Sequence, residues 1–461
     1  MSFDPLFLSR LQWAWVIGWH ILLPAFTVGL ASYIAVLEGL FFFTGEDAWY
    51  RFSRFWTRIF SVSFAMGVVS GIVMPFQLGT NWSRFSDITA NVLSPMLAYE
   101  DLMAFFLEAT FLGVLLFGRN LVPRWAHFLA AIMVAFGTLL SSFWILSVNS
   151  WMQTPAGYVI RDGRFFPTDW LAIIFNPSFP YRLAHNVSAF YVTTGFVVLG
   201  VSAYLMRRPE HAADGRRMFR MALGFVTIFV PVQIALGDMH GLNTAKYQPA
   251  KLAAIEGVWD TAAPAPLTLV GMPNQKKERT DYAIEIPVLG SVILTHSTTG
   301  AIRGLKTFPA DQRPPMAIVF WAFRIMVGIG LYMLALILLG WILRWRGRLF
   351  DNGWFLRICM LSAPLGFVAV LAGWTTTEVG RQPWTVYGLL RTAHSVTPSL
   401  TGHDVLISFL SYAAVYLVMF PAGIAVMARM VRHGPTESAM SMKPAEGLQP
   451  ISPILGLAED Q

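Results

Sequence analysis

The sequence predicts an all-α integral membrane protein of about nine transmembrane helices, with the N-terminus outside and the C-terminus cytoplasmic. Three observations predict it. Of the 461 residues, 55% are hydrophobic and only 13% are charged, where a soluble domain carries about 25% charged residues. The apolar residues gather into nine runs, each close to the roughly 20 residues that cross a hydrocarbon core. The Lys and Arg residues crowd into short segments between the runs, which is how such chains fix their orientation.

The runs lie near residues 13–43, 59–80, 95–117, 125–148, 183–206, 219–236, 317–343, 354–375 and 405–427. The first is too long for a signal-peptide core and no small-residue cleavage site follows it, so it reads as a spanning helix. The segments after runs one, three, five and seven, with the tail, hold 17 Lys and Arg residues, among them Arg51, Arg119, Arg207, Arg344 and Arg429. The short segments on the opposite side hold seven, from Arg10 to Arg391. This bias places the N-terminus outside. Residues 238–316 form a long polar external loop with the charged run Lys276–Arg279. Loops of that length are functional or disordered. Residues 435–461, rich in Pro, Ser and Glu, read as a disordered cytoplasmic tail, leaving 1–434 as one bundle. No inverted repeat of the transporter kind is visible.

The net charge of +7 sits in loops without interleaved aromatic residues, so nucleic acid is not the partner; the lipid membrane is. Cys359 is the single cysteine and lies inside an apolar run, which excludes a disulfide and a cysteine metal site. No Cys-x-x-Cys-His occurs, so any heme is held non-covalently. No two histidines are adjacent, which excludes the copper site of a heme-copper oxidase.

Ionisable residues inside spanning helices cost roughly 2.5–3.5 kcal/mol each, and by default they are functional and partnered. The candidates are His20, Glu38, Glu100, Asp101, Glu108, His127, His185, Arg324 and Glu378. His20, His185, Met326, Glu378 and Glu100 come from five different helices, and the deduced topology puts all of them in the outer half of the membrane. His and Met are axial ligands of electron-transfer hemes, and a carboxylate can hold a high-spin iron. The bland readings weigh against this. A lone membrane histidine more often bonds a carbonyl, a lone Met is usually core filler, and a Glu at a helix end is usually hydrated. His127 reads as structural, and His240 carries no assigned role. Spacing alone leaves redox chemistry and transport both open.

Six motifs narrow this. Gly18-Trp19-His20, Met74-Pro75-Phe76-Gln77-Leu78-Gly79-Thr80-Asn81-Trp82 and the segment Tyr99–Glu108 resemble subunit I of cytochrome bd-type quinol oxidases. So do Lys251-Leu252-Ala253-Ala254-Ile255-Glu256, Phe323-Arg324-Ile325-Met326-Val327-Gly328 and Gly380-Arg381-Gln382-Pro383-Trp384. The resemblance runs in order to about residue 430. It implies a terminal respiratory oxidase subunit of the bacterial cytoplasmic membrane. Such an enzyme oxidises quinol on the outer side and reduces dioxygen to water, building membrane potential by vectorial proton uptake without pumping. It implies a low-spin heme b on His185 and Met326. It also implies a high-spin heme b and a heme d, or a heme b in its place, on His20 and Glu378, without fixing which residue holds which. Glu100 would stand beside the oxygen-reducing heme and Glu108 on the proton route. Lys251 and Glu256 would bind quinol, the alternative for that pair being a loop salt bridge. Arg324, Trp374 and Arg381 would pack around the hemes. A second subunit and a single-helix small one are the expected partners. The short stretch between Lys251 and run seven resembles the branch that includes cyanide-insensitive oxidases. A di-heme cytochrome b that only relays electrons and a colourless transporter are the rival readings.

Overall fold

A computed structural model describes residues 4–435; the expected tail beyond Pro435 lies outside the described residues. Among the described residues, nine helical segments are long and apolar enough to cross a membrane.

The first apolar run folds as two helices. Helix α1 (Pro5–Leu22) starts where the Asp4 carboxylate accepts from the backbone N–H groups of Leu6 and Phe7, at 3.0 and 3.3 Å. Pro24 has no N–H to give to the preceding turn, so the chain restarts there as α2 (Pro24–Thr44). Helix α3 (Asp47–Thr80) is 34 residues long, about 51 Å at 1.5 Å per residue. The third span is α4 (Ser83–Tyr99), a π-helical turn over Glu100–Phe105, and α5 (Phe106–Phe117). The fourth is α6 (Arg124–Gln153), followed by a hairpin of β1 (Tyr158–Arg161) and β2 (Arg164–Pro167) and the short α7 (Trp170–Ile174).

Helices α8 (Phe179–Met206) and α9 (Ala212–Tyr247) are the fifth and sixth spans. The sixth apolar run ends near Leu236, yet the helix continues to Tyr247. The polar residues Asp238, His240, Asn243 and Thr244 interrupt the hydropathy but not the backbone ladder, and Thr244 Oγ1 donates to the His240 carbonyl within it at 3.0 Å. Residues 238–247 of the expected loop are therefore helical.

The rest of that loop is folded. It contains α10 (Pro249–Glu256), the antiparallel strands β3 (Leu267–Asn274) and β4 (Arg279–Ile286), and α11 (Leu289–Thr295). The seventh span is α12 (Met316–Trp345). The eighth is α13 (Gly353–Ser362) and α14 (Leu365–Val379), broken at Pro364. A small hairpin, β5 (Trp384–Val386) and β6 (Leu390–Arg391), precedes α15 (Gly402–His433). Thr401 and Asp404 cap α15 reciprocally: the Thr401 hydroxyl accepts from the Asp404 N–H at 3.3 Å and the Asp404 carboxylate from the Thr401 N–H at 3.2 Å.

Helix α8 is the hub, packed against α2, α6, α9, α13 and α14. Small residues let backbones approach there, as is usual between membrane helices. A Cβ at Gly29 would stand 2.9 Å from the Phe190 carbonyl, and Thr194 Oγ1 donates to the Phe26 carbonyl at 2.9 Å. Phe52, Trp56, Phe60, Phe196 and Phe219 fill the surrounding core and are fully buried.

At the other end of α2, Glu38 is not hydrated at an interface. Its Oε1 accepts from Ser53 Oγ at 2.5 Å, and its Oε2 is approached by Arg119 Nη1 at 2.9 Å and His127 Nδ1 at 3.1 Å. The His127 Nε2 meets the Leu115 carbonyl at 3.1 Å. This cluster ties α2, α3, α5 and α6 together. Glu38→Ala removes the acceptor that Arg119 and His127 share. Breaking a buried ion pair costs roughly 3–5 kcal/mol, and Arg119, with 20% of its side chain accessible, regains part of that from water. The expected result is a lowered thermal midpoint for the purified protein, larger than for Ser53→Ala; an unchanged midpoint would show that the cluster adds no stability.

Candidate functional site

His185 lies less than two turns into α8, against α9. A Cβ at Gly237 would come within 3.2 Å of its Cε1, Gln233 Nε2 is 3.3 Å from both ring nitrogens, and the His240 ring centroid is 5.5 Å away. Met326 is on α12, where its Sδ would be 2.8 Å from a Cβ at Gly373 of α14. Trp374 follows that glycine. Helices α8 and α12 each pack on both α9 and α14, so the two residues belong to one four-helix group. His20 sits near the end of α1, with Nδ1 3.0 Å from Ser70 Oγ of α3 and its Cε1 3.2 Å from where Gly71 would carry a Cβ. Three candidate ligands thus each rest against a glycine of a neighbouring helix.

Glu378, near the end of α14, anchors a polar network. Its Oε1 accepts from Asn149 Nδ2 at 3.0 Å and Gln153 Nε2 at 3.3 Å, and its Oε2 from Arg381 Nη2 at 2.5 Å. Arg182 Nη2 donates to Asn149 Oδ1. Gln153 Oε1 accepts from Gln248 Nε2 at 2.9 Å and from Lys251 Nζ at 2.7 Å. Lys251 also donates to Gln248 Oε1 at 2.6 Å. Burial holds the Lys251 ammonium well below its usual pKa, with Arg182 and Arg381 pushing the same way and Glu378 opposing.

Glu256 closes α10 on the opposite side. Its carboxyl is pushed above the ordinary range by burial, with Arg324 opposing. No ion pair joins Lys251 to Glu256 among the described residues, so the loop salt bridge is not formed. Arg324 instead donates to backbone carbonyls: Ile255 at 2.6 Å, Thr268 at 2.5 Å and Leu269 at 3.1 Å. Its guanidinium lies 3.3 Å from the centroid of the Phe320 ring.

Glu100 opens the π turn, and its Oε1 accepts from Ser141 Oγ of α6 at 2.7 Å. Glu108 is buried on α5, with its Cγ 2.6 Å from where Gly137 of α6 would carry a Cβ, and its Oε1 has no partner among the described residues. π turns recur at functional sites.

Asn149, Gln153, Arg182, Gln248 and His240 escaped the sequence reading. In the sequence Arg182 reads only as a loop charge, and a buried amide at a helix end looks like any other polar terminus. An Arg one turn before a candidate ligand was the available signal.

The donor set suits heme. Two His, a Met and a Glu are iron ligands of the required kinds. No three His, Cys, Asp or Glu side chains gather as a metal group among the described residues, and the candidate ligands stand on four different helices. Arg381 Nε and Nη1 and Arg182 Nε are buried without partners among the described residues, and unpaired guanidinium donors fit propionate carboxylates.

Residues 8–435 match the family described as cytochrome bd terminal oxidase subunit I. The chain belongs to this family. It is 35% identical over 440 residues to the cytochrome bd ubiquinol oxidase subunit 1 of Bacillus subtilis (strain 168), covering 93% of this chain and 94% of that one. It is 33% identical over 501 residues to the cytochrome bd-II ubiquinol oxidase subunit 1 of Escherichia coli (strain K12), covering 94% and 97%. The solved bd oxidase from Geobacillus thermodenitrificans superposes with a TM-score of 0.87 at 31% identity, covering 94% of this chain and all of the solved one. A multi-pass, heme-carrying oxidase subunit is thereby established, and a relay cytochrome or a transporter is set aside.

Proposed function

We propose that this subunit carries quinol oxidation and dioxygen reduction in one helix bundle, in a bacterial cytoplasmic membrane, partnered by a subunit II and a single-helix small subunit. The observation that carries the reading is the network at Glu378, where Arg381 pairs with the carboxylate and keeps spare donors, and Arg182 keeps one a turn before His185. His185 and Met326 hold a low-spin heme b; His20 and Glu378 hold the high-spin pair, a heme b with a heme d or a second heme b. Bound there, the hemes supply electron transfer and the dioxygen-binding iron. The charge bias puts the N-terminus and the long loop outside. Residues 1–434 act as the heme-binding bundle, with its external loop as the quinol element and the tail cytoplasmic.

The chain's own residues handle orientation and protons. Lys251, fixed by Gln153 and Gln248, orients the quinol head. Glu256 takes the proton that quinol loses. Glu108 and Glu100 hold protons drawn from the cytoplasmic side, so the reaction moves charge without a pump, each full crossing being worth about 2.3 kcal/mol per 100 mV.

Met326→Leu keeps the side-chain volume and removes the sulfur. The low-spin signal in the reduced-minus-oxidised spectrum should shift or vanish; an unchanged spectrum and midpoint potential would sink the ligand assignment.

Glu256 must be ionised to accept a proton, and its pKa is raised by burial. Quinol oxidation should therefore fall off with decreasing pH at a point above the ordinary carboxylate range. Glu256→Gln should lower kcat/KM for quinol and erase that limb while all hemes remain. A profile identical to that of the unmodified enzyme excludes Glu256 as the acceptor.

Glu108→Gln cannot pass a proton. It should retain hemes and quinol affinity, lose most turnover and slow the electrogenic phase in proteoliposomes. Wild-type oxygen reduction with full potential generation would place the route elsewhere.

A further inference from the structure

The β3–β4 hairpin is not simply a water-exposed part of the long loop. It lies along the first turns of α12. At its tip, Gln275 Oε1 accepts from the Met316 N–H at 3.3 Å, and Glu278 pairs with Arg313 at 2.7 Å. At its base, the Thr268 and Leu269 carbonyls accept from Arg324. Arg324 is eight residues into α12 from Met316, about 12 Å along the axis. Helix α12 has 30 residues, about 45 Å, against a hydrocarbon core of about 30 Å. A centred core begins about five residues in, so Arg324 and the strand bonded to it lie at or just below the boundary with the acyl chains.

The surface of the hairpin agrees with that depth. Val270 and Ile284 are directly opposed in the ladder and are 46% and 61% exposed; Met272 is 62% exposed. Ile318 on the adjoining turn of α12 is also exposed. At the tip, Lys276 and Lys277 have no ion pair among the described residues, which suits lipid phosphates. Two features keep the hairpin out of the hydrocarbon centre. Glu285 is exposed on β4, and a two-stranded ladder has free edges that lipid cannot satisfy. Arg324 meets two of those edge carbonyls at the deepest point.

We propose that this hairpin is an interfacial membrane element, with its Val270–Ile284 face on the acyl chains of the adjacent leaflet and its lysine tip among the headgroups. Lipid is what covers that face. The inference rests on the spanning helices alone and not on the assignment of any heme ligand or quinol residue.

The test is nitroxide labelling of the assembled oxidase in lipid nanodiscs, at Val270→Cys, Ile284→Cys, Lys277→Cys and Ile318→Cys. Cys359 is buried, and the unmodified complex measures background labelling. Power saturation with dioxygen and a water-soluble nickel chelate reads the environment at each position. The ratio of dioxygen to nickel accessibility should be several-fold higher at 270 and 284 than at 277, and close to that at 318. A ratio at 270 and 284 equal to that at 277 places the hairpin in water and overturns the proposal. Exclusion of both reagents means a protein partner covers the face, and also overturns it. Should the labelled variants fail to assemble, the unmodified complex reconstituted with a diazirine-tailed phospholipid serves instead. Light-induced adducts should map to 267–286; adducts on α12 with none on the hairpin would refute its contact with lipid.

Discussion

A charge carried into an apolar bundle must meet a partner, and the way each buried charge here is met separates scaffold from site. Arg324 spends its donors on backbone carbonyls of α10, β3 and its own helix, so it holds the loop to α12 and has little left to offer. Glu38 is likewise saturated by Ser53, Arg119 and His127. Arg381 and Arg182 are different, because each is buried with at least one nitrogen that bonds nothing among the described residues. An unsatisfied buried donor is costly, and it persists where a ligand completes it. Packing around hemes thus suits Arg381 better than Arg324, although both belong to motifs of the same family.

The same separation applies to backbone. Helices α8 and α2 come close through Gly29 to build core, whereas Gly71, Gly237 and Gly373 come close to His20, His185 and Met326. A glycine facing a ring or a thioether leaves that side chain room to project between helices. The contacts also order the candidates in depth. Met326 is level with Gly373, and a Cβ at Gly18 of α1 would stand 4.0 Å from Leu371 Cδ2, so along α14 Glu378 is nearest the loop and His20 several residues deeper. Met326, His20 and Glu378 thus stand at three different levels along α14.

The nine spans were legible because hydropathy over 20 residues reports membrane crossing directly. What hydropathy could not report is backbone continuity. Pro24 and Pro364 split apolar runs that look seamless, α9 runs on through polar residues to Tyr247, and the π turn at Glu100 leaves no compositional trace. Among site residues, charged or ligand-type side chains inside apolar runs stood out. Gln153 did not, although it bridges the loop lysine to Glu378, because an amide at a helix end is unremarkable until its partners are known. Lys251 and Glu256 fall in one motif, with a loop salt bridge as the alternative reading. They belong to different networks, since α10 turns one toward α6 and the other toward α12.

The antiparallel packing of α5 on α6 gives the carboxylates a direction. Glu100 meets Ser141, Glu108 meets Gly137, and the Leu115 carbonyl meets His127. As one helix position advances the other retreats, which is the register of a single continuous seam. Fifteen residues separate the first contact from the last on this strand of the seam, about 22 Å. Both glutamates therefore lie on one helix interface at different depths, and the Glu38 cluster closes its far end. Rotation of an ideal helix by 100° per residue would carry two side chains eight apart about 80° out of line. The π turn between them inserts extra backbone at that point, and both still meet α6. A local irregularity in the helix is thus what lets α6 serve both carboxylates.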